Sequence, residues 1–242
     1  MRDLDSYQRN YAEHQFEHYL AGARRKLILN RLEAHAPKSV LEVGCAQLTI
    51  FSDYMAESGV VIEPGYEFAD KAQTELQHRP RHYVVNGLLE EAGELGTFNF
   101  ILVSAVLHEV TDQSIFLNAL KNFCDENTLL LFVSPNARSL HRQLAVKMGI
   151  MKDCAEISKT QEWLQQKNPF PTRPELISRL HSSGFRSLDY GGILLKPFSH
   201  NQMQSLIDSG FANSDMLRGL CILGEQYPDL ASEFWIEAKL NV

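Results

Sequence analysis

The chain has 242 residues, of which 44% are hydrophobic and 22% charged. That length suits one large domain, or one domain with an added subdomain, and the composition excludes a disordered chain. The balance of 23 Lys+Arg against 30 Asp+Glu leaves a net charge of −7, which argues against nonspecific binding to nucleic acid or anionic membrane, since both need a basic surface. Cys45, Cys124, Cys154 and Cys221 are far apart, with no C-x-x-C pair and no histidine at ligand spacing, so a reduced, cytoplasmic setting and no metal centre are expected. The opening segment is polar, and no run approaches the ~18 apolar residues of a membrane span.

Residues 1–35 read as a helical extension, with Phe16, Tyr19 and Leu20 on one face. From Ser39 onward short apolar runs alternate with amphipathic stretches, the pattern of βαβ units around a mostly parallel sheet. Ser39–Val43 is a strand that breaks at Gly44. The segment TIFSDYMAES puts Ile50, Phe51, Tyr54 and Met55 on one helical face, with Gly59 as the stop. Val60–Ile62 is a second strand, followed by a helix with Ala69, Ala72 and Leu76 in register. His82–Val85 and Phe100–Ala105 are the third and fourth strands. Asp112 is placed to cap a helix lined by Phe116, Leu120 and Phe123, and Thr128–Val133 is the fifth strand. Unbroken apolar runs of this kind suit strands covered on both faces.

The last third changes character. Ala137–Met148 is helical, with Leu140, Leu144 and Met148 spaced by four. Residues 151–174 carry Pro169, Pro171 and Pro174 and read as a lid. A helix with Leu176, Ile177 and Leu180 ends at Gly184, and a strand covers about Ser187–Lys196. Helical patterns near Asn201–Asp208 and Ser214–Leu223 form an insertion over 199–225, ahead of a last strand, Glu233–Lys239. Met203 and Leu206 read as packing residues.

The first strand and its turn, V-L-E-V-G-C-A-Q-L-T, end a buried run on a glycine, which lets the chain turn sharply and a ligand approach the backbone. Glu63 closes the second strand, where a carboxylate can accept both hydroxyls of a ribose. An ordinary strand-turn-helix is the competing reading. The dinucleotide fingerprint G-x-G-x-x-G is absent, and its missing glycines speak against a nicotinamide-dependent dehydrogenase. His14 and His18 form an i, i+4 histidine pair, without a third ligand. Arg138 and Arg142, four apart, either grip a carboxylate or phosphate or form a solvated basic face. Asn136 falls at the carboxyl edge of the sheet, where ligands of open α/β folds bind.

Taken together, VLEVGC, VVIEPGYEFADKA, YVVNGLLEE, FNFILVSAVLHEVTD and LLLFVSPNARSLHRQLA resemble the class I S-adenosylmethionine-dependent methyltransferases, closest to branches that modify small molecules such as ubiquinone precursors and sugars. The likeness runs from about Tyr11 to Leu240. It implies an α/β, Rossmann-like seven-stranded sheet with an antiparallel last strand, helices on both faces and a helical cap on a domain spanning 36–242. It also implies roles by position. Glu42, Gly44 and Cys45 match the motif that wraps the methionine part of S-adenosylmethionine, Glu63 the ribose carboxylate and Pro64 the wall beside the adenine. Gly87, Leu88 and Leu89 match the loop that holds the adenine, Ser104 and Ala105 the strand end beneath the sulfonium, and Tyr11 a tyrosine that covers the cofactor. Ala46 and Leu48 stand where two glycines are usual. An alanine fits there with a negative φ, whereas Leu48 adds bulk.

Methyl transfer from a sulfonium is a displacement, so the protein has to orient, desolvate and in some cases deprotonate. His108 and Glu109 follow the fourth strand in the order L-H-E-V, the reverse of the usual L-E-H-V, and His141 follows the fifth; these three are the candidate catalytic residues. The alternatives to a base are a histidine that braces its loop and a glutamate that caps a turn. The expectation is a cytoplasmic methyltransferase, monomeric or homodimeric, acting on an oxygen or nitrogen of a small molecule in biosynthesis. The rival is a non-catalytic cofactor-binding or interaction protein of the same fold.

Overall fold

The computed structural model describes residues 15–158, 161, 162, 166 and 168–241. Seven strands, β1 (Ser39–Val43), β2 (Ser58–Glu63), β3 (His82–Asn86), β4 (Phe100–Ser104), β5 (Leu129–Pro135), β6 (Phe185–Gly192) and β7 (Glu233–Leu240), form one sheet in the order β3-β2-β1-β4-β5-β7-β6. The first five pair in parallel, with Glu42 beside Val61 and Leu102. β7 runs antiparallel between β5 and β6, and a register shift interrupts the β6–β7 ladder between Ser187 and Asp189. The expected antiparallel last strand is therefore present, and the carboxyl ends of β1 to β6 share an edge with the start of β7.

Apolar side chains from both faces of the strands feed two cores. Val40, Val61, Phe100, Leu102, Leu131 and Trp235 face one layer, and Leu41, Val43, Ile101, Val103, Phe132 and Ile236 the other. This division by alternate residues is the pleat, and each fully buried large side chain contributes roughly 1.5–3 kcal/mol of transfer free energy. On the first face lies α2 (Tyr66–Leu76), with Ala72 and Leu76 in the core, and on the second α3 (Gln113–Leu120) and α5 (Arg173–Ser182). The Asp112 carboxylate accepts the Ser114 and Ile115 N–H groups and caps α3, as expected. Helix α4 (Leu140–Lys147) follows β5; α6 (His200–Asp208) and α7 (Ser214–Gln226) lie between β6 and β7 at the carboxyl edge.

Two expectations are corrected. The helix expected over TIFSDYMAES is a single 3-10 turn, Ile50–Ser52, and the chain re-enters the sheet at Ser58 rather than Val60. The cover for β1 comes instead from α1 (Gln15–His35), whose Phe16, Leu20, Ile28 and Leu32 share one core with Ile50 and Phe51. Arg25 of α1 donates to the Leu48 and Thr49 carbonyls and to Asp53, so the turn after β1 is fastened to α1 and has no room to wind further. Gly59 lies inside β2, where a Cβ would fall 2.4 Å from the Phe51 ring and 2.6 Å from His82.

The second correction concerns α4. Its Leu144 and Met148 stripe points outward, with Met148 61% exposed, while Arg142 is the buried residue of the helix. The helix is rolled so that its polar His141–Arg142 side faces the lid, because the lid carbonyls need donors.

Candidate active site

At the end of β1 the backbone turns at Gly44, φ +76, whose N–H donates to the Ile62 carbonyl at 2.8 Å. A Cβ there would sit 2.7 Å from Val106 Cγ2, so the position needs glycine. The next two N–H groups, of Cys45 and Ala46, donate to Glu63 Oε2 at 3.0 and 3.1 Å, and Gly65 N–H donates to Oε1 at 2.8 Å. Glu63 is buried. Burial raises its pKa, and the three backbone donors work against that shift.

Ala46 has φ +48. A negative φ, the condition under which an alanine fits here, is not met, and the left-handed conformation costs about 1–2 kcal/mol for a residue with a Cβ. Two hydrogen bonds to Glu63 from successive N–H groups hold the loop in that shape. Leu48 is 44% exposed and points away from the core.

Glu42 has a different setting. Its carboxylate accepts the Thr49 hydroxyl at 2.5 Å and the Ile50 N–H at 3.0 Å, clamping the N-terminus of the 3-10 turn. Complete burial pushes its pKa up to about 7, against the pull of those donors.

Past β2, the Asn86 amide donates to the Glu63 and Pro64 carbonyls, and Gly87 N–H to the Glu63 carbonyl. Leu88 is 44% exposed beside them, whereas Leu89 is buried and begins a 3-10 turn. Ser104 ends β4, and Ala105 follows with φ +58, its N–H donated to Val133. Gly44, Glu63, Gly87 and Ala105 thus stand at the carboxyl ends of four neighbouring strands. Tyr11 lies outside the described residues.

The segment after β4 carries His108 and Glu109 side by side, His108 Nε2 3.7 Å from Glu109 Oε1. The lid lies on both. Gln166 donates to Glu109 Oε1 at 3.1 Å, Asn168 to the Val110 carbonyl at 2.7 Å, and the Phe170 ring meets the His108 ring edge-on at 5.1 Å. Behind Phe170 lies Arg142, its guanidinium 5.3 Å from the ring centre. It donates to the Cys154 and Glu156 carbonyls and the Gln161 amide oxygen. Arg138 is exposed and precedes α4, so the two arginines share no face. Asn136 is buried and braces the Asp229 and Ala231 carbonyls. His141 beside Arg142 is held neutral: burial, then Lys196 and Arg142, push its pKa down to about 2.

The sequence did not single out Lys196, His200 and Glu17 as a group. Lys196 Nζ lies 2.8 Å from His200 Nδ1, and His200 Nε2 2.7 Å from Glu17 Oε2. The signal available was a lone lysine closing the apolar run GGILLK. Among the described residues no His, Cys, Asp and Glu cluster can hold a metal ion, and no helix is long and apolar enough to cross a membrane.

A family model described as methyltransferase domain matches residues 11–190. The chain belongs to this methyltransferase family. It is an S-adenosylmethionine-dependent methyltransferase. No curated protein matches the sequence. Among solved structures the methyltransferase is similar to the plantazolicin methyltransferase BamL, in complex with a triazolic desmethyl analogue and SAH. Identity is 15% and the TM-score 0.62, over 94% of this chain and 89% of that one. It is similar to the N-methyltransferase NodS from Bradyrhizobium japonicum WM9, at 12% identity and TM-score 0.58, over 99% and 97%. The [4+2]-cyclase SpnF shares the fold as well, at 13% identity and TM-score 0.61, over 90% and 82%. Likeness at these identities is a likeness of fold. The strand ends of the methyltransferase fit the cofactor: a glycine turn with no room for a side chain, a buried carboxylate one strand away, and an exposed leucine on the third.

Proposed function

We propose that this methyltransferase transfers the methyl group of S-adenosylmethionine to an oxygen or nitrogen of a small molecule, in a biosynthetic pathway of the cytoplasm, as a monomer or homodimer. The observation that supports this most is the alignment of Gly44, Glu63 and Gly87 at one end of the carboxyl edge with His108, Glu109 and His141 at the other. In this reading Gly44 and Cys45 lie along the methionine part, with Glu42 holding the loop from beneath. Glu63 holds the ribose, Pro64, Gly87, Leu88 and Leu89 flank the adenine, and Ser104 and Ala105 lie under the reacting carbon.

A carboxylate has about four acceptor positions, and Glu63 already uses three on backbone donors. One ribose hydroxyl finds an open position on Oε1; a second has to displace the Cys45 or Ala46 N–H. His108 takes the proton of a hydroxyl or amine acceptor, Glu109 steadies the imidazole, and His141, held neutral, serves as a hydrogen-bonding wall. Residues 1–35, the lid 151–174 and the insertion 199–225 cap the domain and shape the acceptor pocket, away from nucleic acid or membrane.

Titration calorimetry with S-adenosylmethionine, S-adenosylhomocysteine and NAD tests the reading. Binding of the first two and not NAD is expected, with Glu63→Ala weakening them at least tenfold, since a charge-assisted hydrogen bond contributes ~1.5–3 kcal/mol and ~1.4 kcal/mol is a factor of ten. The strained Ala46 and the occupied Glu63 favour a second reading, a non-catalytic member of the fold. Tight cofactor binding, together with turnover in an acceptor screen that follows S-adenosylhomocysteine release, excludes it.

A further inference from the structure

Lys196 is 3% exposed and follows the carboxyl end of β6, past the strands that carry His108 and Asn136. One of its three N–H donors goes to His200, and the other two meet no acceptor among the described residues. The Phe16 ring lies 5.7 Å from the ammonium and closes it off from water. Next to it, His141 Nδ1 is buried and has no hydrogen-bond partner among the described residues. Arg142 completes the group; among the described residues its guanidinium donates to two carbonyls and an amide oxygen, in the field of Asp153 and Glu156.

Among the described residues Lys196 lies in the field of Glu17 and Glu233 but donates to neither carboxylate; Arg24 holds Glu233 with both Nε and Nη2, His200 meets Glu17, and Arg142 lies in the field of Asp153 and Glu156. Burial holds His141 neutral, and the field of Lys196, Arg142 and His200 adds to it. Buried cations with open donors are costly unless an anion meets them. An ammonium entering this field is repelled and a neutral amine offers one lone pair, whereas an oxygen anion accepts from both free Lys196 donors beside the unpartnered His141 Nδ1.

We infer that Lys196, His141 and Arg142 recognise an anionic oxygen group, a carboxylate or an ionised phenol, on the methyl acceptor. This rests on the methyltransferase reading and narrows its substrate class. Where that anion is itself the nucleophile, its lone pair forms the new bond to the methyl carbon. The methyl–sulfur bond breaks, its electron pair returns to sulfur as the neutral thioether, and no proton has to be removed. Where the anion is a handle, a neighbouring hydroxyl reacts and loses its proton to a base. For a carboxylate, mild alkali separates the two, because it releases the methyl group of an ester and leaves an ether intact; for a phenolate both products are ethers, and the position of the methyl group separates them.

The test uses wild-type protein saturated with S-adenosylhomocysteine, titrated with 2-, 3- and 4-hydroxybenzoate and with the matching hydroxybenzamides and hydroxybenzylamines. At least one acid should bind tenfold or more tighter than its amide and amine. Lys196→Met should abolish that preference without changing cofactor affinity, and Lys196→Arg should retain it. Equal or weaker binding of the acids, or no binding by any of them, overturns the inference while the methyltransferase reading stands. Failure of S-adenosylhomocysteine itself to bind overturns the reading beneath it. Should Lys196→Met not fold, the acid-to-amide ratio of the wild type alone decides.

Discussion

Glu42 offers a quantitative test of how the loop after β1 is built. A buried carboxyl whose folded pKa is about 7, against the ordinary ~4.3 of an unfolded glutamate, binds its proton more tightly in the folded state. Between those two values the native protein holds more protons than the unfolded chain. Stability therefore falls as pH rises through this window, and the full benefit is present only below it. A shift of this size corresponds to roughly 4 kcal/mol, at about 1.4 kcal/mol per pH unit, of which roughly 3 kcal/mol falls between pH 4.5 and 8. Glu42→Gln keeps the shape and an oxygen for the Thr49 hydroxyl and Ile50 N–H but has no charge to desolvate. Urea unfolding should be followed every half unit from pH 4.5 to 8 for both proteins. The wild type contains other groups that titrate in this range. Glu63, also raised, acts in the same direction. His141, lowered to about 2, acts oppositely and adds stability that is lost as pH falls below ~6.5. The difference between wild type and variant isolates Glu42. The variant should gain on the wild type by roughly 3 kcal/mol in going from pH 4.5 to 8. A difference that stays flat over the window refutes the buried, protonating carboxyl.

Further outcomes follow from the packing and from the edge of the sheet. Gly59→Ala places a methyl group 2.4 Å from Phe51 and 2.6 Å from His82, and should cost ~1–3 kcal/mol by overpacking; an unchanged urea midpoint would show that β2 and the 3-10 turn separate easily. His108→Ala should lower turnover on a hydroxyl or amine nucleophile by ~10²–10⁴ and remove the acidic limb of the pH-rate profile, with cofactor affinity unchanged by calorimetry. Retained turnover to an alkali-stable ether would make His108 a brace for its loop.

The sheet was legible because its strands are short unbroken apolar runs, and a run such as FILVS has few ways to be buried other than between two helical layers. The strand-end glycine and Glu63 were legible for a related reason: a turn at the carboxyl edge needs a residue free of Cβ, and an acidic residue ending an apolar strand is conspicuous. The segment after β1 was misread because its apolar spacing fits a helix equally well. The decision lay with Arg25, far away in sequence, whose guanidinium takes the Leu48 and Thr49 carbonyls. The φ of Ala46 was hidden likewise, since the two hydrogen bonds that hold it end on Glu63. Lys196 was passed over because its environment is assembled from α1, α4 and α6, and no local pattern encodes that meeting.

Helix α1 is pinned to two strands that lie far apart in the chain. Arg25 holds Asp53 and the carbonyls of the turn after β1, while Arg24 and Arg31 hold Glu233 and Glu237 of β7, more than 200 residues away in sequence. Its stripe of Phe16, Leu20, Ile28 and Leu32 shares one core with Ile50, Phe51 and Trp235. One helix thereby staples the first strand of the sheet to the last, so that loosening either end frees the helix from the other.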